Sequence, residues 1–457
     1  MRKRDRQDMT TAMSLVNQLA RHRLAPVRKR SAVSTSERKP KRVIIGFPRI
    51  MTRPVHRATT RFSQLYRRFA PDIWVLAGIR LLTAVGFSIC MPFLALYLHQ
   101  DRGVSMTMAG AILLAGGLCA AVSQAIGGML SDRFGRRPVL LVAASAGVFL
   151  YAGLAVLIAD AAPIWAIAVV YIAGRSVLTT THPVIAAMTA DLAPRDRLTE
   201  AYGILRIGAN VGWAAGPAVG GYLITFVPYA WLFGIPAVMC GIVCLIVLFF
   251  VHEASSSPGP ITGFRSVLMP ADNPPVLAFT LLSVLVFVVM GQMGATLSIS
   301  TVDRFGFSEA QYGFLLMLNG LIVIFFQYPV ARVVAGLSKR RALVLGSVLY
   351  GLGYLSLGWM TGFGWALAAM AVVTAGEIIH TPVALAVIGE LSPPEQRGQY
   401  MGYFGLSETV GLAVAPMLGG VLLDTFPADI RLVWAPLASI AFVAALGYHW
   451  WTRRFCR

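Results

Sequence analysis

Charge is what this chain has least of. Asp, Glu, Lys and Arg make up 13% of its 457 residues, about half the usual share in a soluble globular protein. The few charges are also unevenly placed. Residues 1–70 carry nineteen Lys and Arg against only Asp5, Asp8 and Glu37, so the net charge of +19 divides into +16 for this tail and +3 for the other 387 residues. Basic charge confined to a tail argues against nucleic-acid binding by the whole protein. Cysteine is sparse too: Cys90, Cys119, Cys240, Cys244 and Cys456 show no ligand spacing and lie mostly in apolar runs. They read as small buried hydrophobes, with neither a disulfide framework nor a metal site. No GxxxxGK[ST] loop is present, which excludes the usual ATP-driven machinery, and no GxSxG elbow or paired Cys/His set points to an enzyme. Neither a cofactor nor a metal is expected. What is abundant is apolar: 57% of the chain is hydrophobic and the mean hydropathy is +0.69, the composition of a polytopic membrane protein.

Residues 1–70 lack a continuous apolar run, and no h-region follows the basic start as a signal peptide would require. Clusters such as Arg28-Lys29-Arg30 and Arg38-Lys39 predict a mostly disordered tail, with a short helix near Thr11–Arg23. It reads as an inert extension, or as one preceding a true start at Met51. The competing reading is adhesion to anionic lipid headgroups at the cytoplasmic face. An Arg-rich, acid-poor start also resembles an organelle transit peptide.

After the tail, twelve apolar runs are each long enough to cross a ~30 Å hydrocarbon core as a helix. They are expected near Ile73–Leu98, Met106–Leu130, Pro138–Ala159, Ile164–Ala190, Ala201–Phe226, Trp231–Val251, Val276–Ser300, Ala310–Val330, Ala342–Met360, Trp365–Ile388, Tyr400–Leu423 and Leu432–Trp451. An even number puts both termini on one side. Connections after even spans, with the C-terminal tail, hold Arg133, Arg136, Arg137, Arg195, Arg197, Arg265, Lys339, Arg340, Arg341, Arg397, Arg453, Arg454 and Arg457, whereas the opposite loops hold Arg102, Arg304 and Arg431. The basic side is expected to be cytoplasmic.

The longest internal connection, His252–Pro275, contains Ser255-Ser-Ser-Pro-Gly-Pro260 and separates six spans from six. The division predicted is a tail over 1–70, a six-helix bundle over 71–251, a cytoplasmic linker over 252–275 and a second six-helix bundle over 276–457. An internal repeat supports it. At an offset of 199 residues, Pro183 and Val184 match Pro382 and Val383, Leu192 and Pro194 match Leu391 and Pro393, and Gly203 and Gly212 match Gly402 and Gly411. Pro217 matches Pro416, Gly220-Gly221 matches Gly419-Gly420, and Asp191 is echoed by Glu390. Two parallel six-helix halves related by an axis along the membrane normal are an established transporter architecture.

The stretch Gly128-Met-Leu-Ser-Asp132-Arg133-Phe-Gly135-Arg136-Arg137 joins spans 2 and 3. As a positive-inside anchor it would only fix topology. Its pattern G-x-x-x-D-R-x-G-R-R, however, resembles the loop between helices 2 and 3 of the major facilitator superfamily. Gly128 would allow close helix contact and Gly135 a tight reversal. Span 5 carries Gly212-Trp-Ala-Ala-Gly216-Pro217-Ala-Val-Gly220-Gly221. Glycines at i, i+4 and i+8 make a smooth stripe for close packing, and Pro217 removes a backbone donor. The full G-x-x-x-G-P-x-x-G-G is similar to the span-5 motif of the antiporter branches of that superfamily, which implies export. The resemblance covers about residues 72–452, and the drug–proton antiporters are the group it points to.

Charges inside the bilayer are costly, so each is a functional candidate by default. Arg175 lies near the middle of span 4, Glu377 near the middle of span 10, and His380 one turn after Glu377 on the same face. Arg80 in span 1, Arg206 in span 5 and Glu408 in span 11 lie within two turns of their basic ends, where snorkelling or interhelical pairing is the competing explanation. The resemblance ties an Arg in span 4 to proton transfer, but here Arg175 is followed by Ser-Val-Leu-Thr where the usual motif has Gln-Gly. It also implies that Asp132 caps the helix of span 11 in the opposite half and that Arg136 reaches Asp191. A buried carboxylate is pushed toward its neutral form by desolvation and toward its charged form by a nearby Arg, which suits a proton carrier. Met and aromatic residues such as Trp213, Met293, Tyr354 and Phe325 can line an apolar cavity, but most such residues face lipid or core, and none is named as a ligand.

The reading is an all-α membrane protein of twelve transmembrane helices in two pseudo-symmetric bundles, a secondary transporter in a bacterial cytoplasmic membrane. The expected activity is proton-coupled efflux of a small amphipathic molecule or drug, with a metabolite uniporter or importer, or a non-transporting scaffold, as alternatives. The expected partners are a small-molecule substrate, protons and the lipid bilayer, with no nucleic acid and a monomeric state.

Overall fold

A computed structural model describes residues 69–194, 197–253, 272–334, 336–393 and 396–455. Nearly all of the basic tail, including the helix expected near Thr11–Arg23, lies outside the described residues, as do residues 254–271 of the linker, Arg195, Arg265, Cys456 and Arg457.

Twelve long helices run through the described residues: α1 (Pro71–Leu96), α2 (Met106–Phe134), α3 (Arg136–Ala159), α4 (Ile164–Leu192), α5 (Leu198–Ile224), α6 (Tyr229–Phe250), α7 (Pro274–Met290), α8 (Glu309–Val334), α9 (Lys339–Leu357), α10 (Phe363–Leu391), α11 (Arg397–Thr425) and α12 (Arg431–Phe455). No strand occurs among the described residues. In hydrocarbon each backbone N–H and C=O must be satisfied within its own segment, which leaves the helix as the form for such apolar runs. The starts are written locally. Pro71 and Pro274 open α1 and α7, where a fixed φ and a missing N–H carry no cost. Ser105 and Ser338 cap α2 and α9 through their hydroxyls. Gly135, at φ 90°, makes the reversal between α2 and α3, a conformation that costs little only for glycine.

Ten of these, α7 counted with its continuation to Arg304, are long and apolar enough to cross a membrane, by length and composition. α5 and α9 fall short, α5 because many glycines with Asn210 and Pro217 dilute its apolar residues and α9 because its 19 residues begin Lys339-Arg340-Arg341. Both are packed between other helices, α5 against α1 and α8, and α9 against α10 and α12, so protein rather than lipid surrounds much of their polar surface. Span 7 departs from expectation more clearly. Sequence hydropathy predicts one helix over Val276–Ser300, but α7 ends at Met290. A tight turn at Gly291–Met293, a short helical stretch at Ala295–Ile299 and a π turn at Ser300–Arg304 follow. Gly294 adopts φ −74° and ψ −109° at the break. Gln292, buried beside it, donates from Nε2 to Val288 O at 3.0 Å and Ala415 O at 3.2 Å and accepts from Thr296 Oγ1 at 2.5 Å. The side chain thus supplies hydrogen bonds where the helix is interrupted.

The two halves pack by the same rule. On α5, a Cβ at Gly212 would lie 2.7 Å from Ala84 Cβ and 2.8 Å from Val85 N, and one at Gly216 would lie 3.0 Å from Ile89 N. Gly220 meets Ile89 O, so the stripe Gly212, Gly216, Gly220 seats α5 on the α1 backbone. Ser88 Oγ donates to Gly212 O at 2.9 Å across that seam. Gly221 instead meets Glu309 of α8, and Pro217 O meets Gly313. The second half repeats the arrangement: Gly411 sits on Phe287 and Val284 of α7, Gly419 on Gln292 and Thr296, and Gly420 on Met106 of α2. The counterpart of Gly216 is Ala415, and there the partner helix is trimmed instead, since Gly291 packs against Ala415.

Candidate functional site

α5 with α8 and α2 with α11 form the seams between the two halves. At the end away from the basic loops these seams are tight. Asp424, in the last turn of α11, accepts from Met106 N at 3.1 Å and Thr107 N at 2.7 Å, capping α2 of the opposite half. His99, in the π turn after α1, holds its Nδ1 2.9 Å from Val104 O and its Nε2 3.8 Å from Asp303 Oδ2 of the second half. Toward the basic loops the halves part. A Cβ at Gly203 of α5 or Gly405 of α11 would meet nothing within 4 Å, and Arg206 and Glu408 are exposed.

Between the halves lies a cavity of about 710 Å³. Its walls are mostly apolar, with Phe87, Met91, Trp213, Met290, Met293 and Leu316 among them. Into it the first half brings Arg175 and Arg206, and the second half Glu377, His380 and Glu408. Five of the six intramembrane candidates named from the sequence therefore share one cavity. Arg80 does not line it. It lies in a neighbouring pocket with His182, Tyr202 and Arg206.

Each charge is held in its own way. Arg175 Nη1 donates to Tyr171 Oη at 2.9 Å, and its guanidinium stands 5.5 Å over the Phe87 ring, so an aromatic face and a hydroxyl take the place of a counter-ion. Glu377 accepts from Asn319 Nδ2 at 2.8 Å, and the same amide reaches Thr374 Oγ1 at 3.0 Å. Arg206 acts on both Glu377 and Glu408 across the cavity. His380 is buried, with its ring 5.4 Å from that of Tyr448.

Sequence reading passed over Asn319, Tyr171, Asn210 and Gln292 because it ranked only Arg, Glu and His side chains. A neutral amide in an apolar span is the signal that would have found Asn319 and Gln292. Of the four Met and aromatic residues mentioned from the sequence, Trp213 and Met293 line the cavity. Tyr354 is stacked on Trp434 in the core at 5.4 Å, and Phe325 is exposed and does not line the cavity.

At the basic end, Arg136 Nε lies 3.0 Å from Asp191 Oδ2, joining the start of α3 to the end of α4. Lys339 and Glu390 form the equivalent pair in the second half. Glu253, which sequence reading missed, accepts from Arg136 N at 2.7 Å and Arg137 N at 3.0 Å, and so caps α3. Arg137 Nη2 donates to Leu248 O at 2.8 Å near the end of α6. Arg133 stands 5.1 Å over the ring of Phe134, and Asp132 is exposed. Gly128 does not make the close helix contact expected of it: a Cβ there would meet only Pro183 Cβ at 4.0 Å. The close approach belongs to Gly127, whose Cβ would lie 2.8 Å from Thr180 O. One residue along a helix turns the side-chain direction by 100°, which pattern alone does not resolve.

Residues 76–380 and 279–454 match the family described as Major Facilitator Superfamily. The chain is 24% identical to the uncharacterized MFS-type transporter YqjV of Bacillus subtilis (strain 168), covering 78% of this chain and 88% of that protein. It is 25% identical to a Na(+), Li(+), K(+)/H(+) antiporter of Planococcus maritimus, covering 72% and 84%. It is 26% identical to the class B tetracycline resistance protein of Escherichia coli, covering 75% and 86%. Among solved structures, the fold is similar to the nucleoside transporter NupG with TM-score 0.70 and 14% identity over 83% of this chain and 99% of that one. It is also similar to a D-xylose–proton symporter with TM-score 0.67 and 15% identity over 82% and 96%.

Proposed function

The chain belongs to the Major Facilitator Superfamily, and on that premise we propose that it exports a small amphipathic molecule in exchange for protons. It is a multi-pass membrane transporter and not an enzyme. The observation that carries the finer reading is the mixed lining of the central cavity, apolar and aromatic walls into which Glu377 and Glu408 project opposite Arg175 and Arg206. Apolar walls suit an amphipathic molecule. A carboxylate under the influence of both a desolvating environment and a guanidinium can exchange a proton as the cavity's exposure changes. Glu377 is assigned the proton. Its amide partner Asn319 can donate to the charged acid and to the carbonyl oxygen of the neutral one. Related chains include a tetracycline resistance protein and a cation–proton antiporter, which favours export over uptake. With the basic loops placed in the cytoplasm, the described conformation is open inward and closed outward. In everted vesicles carrying the protein, addition of a transported drug should release protons from the lumen. A drug that moves without any proton flux would leave a uniporter.

The two ends of the bundle carry opposed carboxylates, and they yield a paired prediction. Asp424 caps α2 across the halves in the inward-open state. Asp132, exposed at the opposite end of α2, is proposed to cap the N-terminus of α11 when the inner end closes. A carboxylate at a helix N-terminus contributes on the order of 1–2 kcal/mol, which shifts a two-state population about tenfold. Asp132→Asn should therefore favour the inward-open state and speed labelling of cysteines placed at the inner ends of α5 and α8. Asp424→Asn should slow the same labelling. Both variants should insert normally and transport less. Equal labelling in both would reduce the two acids to topological or surface roles.

A further inference from the structure

Beside the central cavity, between α1, α4 and α5, lies a second pocket of about 340 Å³ bounded by Arg80, His182, Tyr202, Arg206, Asn210 and Trp213. It belongs entirely to the first half, and Arg206, Asn210 and Trp213 line both spaces, so a molecule in the central cavity can extend a group into it. Its polar complement is of one kind. Two guanidiniums, an imidazole, a phenol and a primary amide converge, and no Asp or Glu lines the pocket. Arg80 and His182 are close enough to interact electrostatically. Among the described residues Arg80 forms no ion pair and its guanidinium no hydrogen bond. The phenol of Tyr202 donates to Ala186 O at 3.1 Å, which fixes the ring at the rim.

Arg206 shares the central cavity with Glu377 and Glu408, but the Arg80 guanidinium faces no carboxylate in its pocket, and a charge without a counter-charge is costly inside a membrane protein. Guanidinium forks match the two oxygens of a carboxylate or the oxygens of a phosphate, and an amide and an imidazole can complete such a shell. We propose that this pocket binds the anionic group of the transported amphiphile, a carboxylate or a phosphate, while its apolar body lies in the central cavity. The proposal deepens the export reading and rests on the central cavity being the substrate path. It assigns the substrate class as acidic amphiphiles and gives Arg80, outside the central cavity, a binding role. An anionic lipid headgroup has the same chemistry, and the test separates the two sources.

The full chain, purified into phosphatidylcholine nanodiscs, is titrated calorimetrically with 2-naphthoate, 2-naphthamide and 2-naphthylmethylammonium, three probes with one apolar body and different heads. The expected result is that naphthoate binds about tenfold or more tightly than the amide and that the ammonium binds more weakly than either. Arg80→Gln should bring naphthoate to within about threefold of the amide while leaving amide affinity unchanged, and that retained affinity shows the variant to be folded. Arg80→Lys should recover part of the difference, because charge returns without the fork. Repeating the titration in phosphatidylglycerol nanodiscs identifies the source. The charged surface repels naphthoate in any case, so a loss larger in the unaltered protein than in Arg80→Gln means that a lipid headgroup competes for the site, and an equal change in both means that the site serves soluble anions. Equal affinity for naphthoate and naphthamide in the unaltered protein, or a preference for naphthoate that survives Arg80→Gln, overturns the proposal. None of these readouts involves proton movement, so the anion site can fail while proton-coupled export stands, and the reverse.

Discussion

Glu377→Gln is expected to lower proton-driven efflux by about two orders of magnitude, the scale of losing a proton-transfer group, while energy-independent counterflow of the same substrate persists. The side-chain oxygen that takes the place of Oε2 still accepts from Asn319 Nδ2, which now donates to Glu377 at 2.8 Å. The local packing around Thr374 is therefore kept and only the titratable proton is removed. A neutral amide imitates the protonated acid, so the variant should be able to load and to move between its two states. It cannot discharge a proton to complete a coupled cycle. Glu408 provides the internal comparison. It shares the cavity and the influence of Arg206 but is exposed toward the basic end, so Glu408→Gln should change the pH dependence of transport more gently. Proton-driven efflux that is unaltered in Glu377→Gln and lost in Glu408→Gln would move the proton from α10 to α11.

Gly216→Val is expected to eliminate most folded protein, whereas Gly203→Ala on the same helix is expected to be harmless. At Gly216 a first side-chain carbon would collide with Ser88 and stand 3.0 Å from Ile89 N in the α1 backbone. A helix backbone cannot retreat as the tip of a long side chain can. Overpacking in a well-packed interior costs about 1–3 kcal/mol, occasionally more. Here the collision also threatens the bond from Ser88 Oγ to Gly212 O, so the high end is expected. At Gly203 a Cβ would meet nothing within 4 Å, and replacing a helical glycine by alanine contributes about 0.5–1 kcal/mol of stability. The measurement is the yield and melting temperature of detergent-purified protein, followed by fluorescence-detected gel filtration. A monodisperse Gly216→Val protein with unchanged melting temperature would mean that α1 and α5 are not held at this distance in the membrane.

Much of the architecture is legible in the order of residues because the bilayer imposes simple rules. An apolar run of twenty or so residues has to be a helix, and glycines four apart have to mark a seam, since lipid gives helices no hydrophobic reason to associate. The repeat at offset 199 is visible because two equivalent seams, α5 on α1 and α11 on α7, need glycine and proline at equivalent places. The break in span 7 was not legible. Hydropathy averages over Gly291-Gln292-Met293-Gly294 as though it were ordinary helix, and only the crossing of α11 at Ala415 and Leu412 shows why the chain must yield there. The same limit applies to Gly127 and Gly128, neighbours in sequence and pointing to different surroundings.

The sequence by itself determined that this is a polytopic helical protein of two similar halves, because length, hydropathy and spacing act within single segments or at a fixed period along the chain. It also singled out the rare intramembrane charges, since each is expensive wherever the helices go. Only the tertiary structure decided which of those charges meet. Arg175, Arg206, Glu377, His380 and Glu408 come from four helices in two halves, and their convergence depends on how the halves pack along the seams of α5 with α8 and α2 with α11. Asn319 and Glu253 acquired their partners in the same way, through contacts 58 and 117 residues apart in the chain. Arg80 was set apart from the cavity charges. It shares a pocket with Arg206 yet lies outside the space that holds the carboxylates, a division made by packing between α1, α4 and α5 that no periodicity along the chain records.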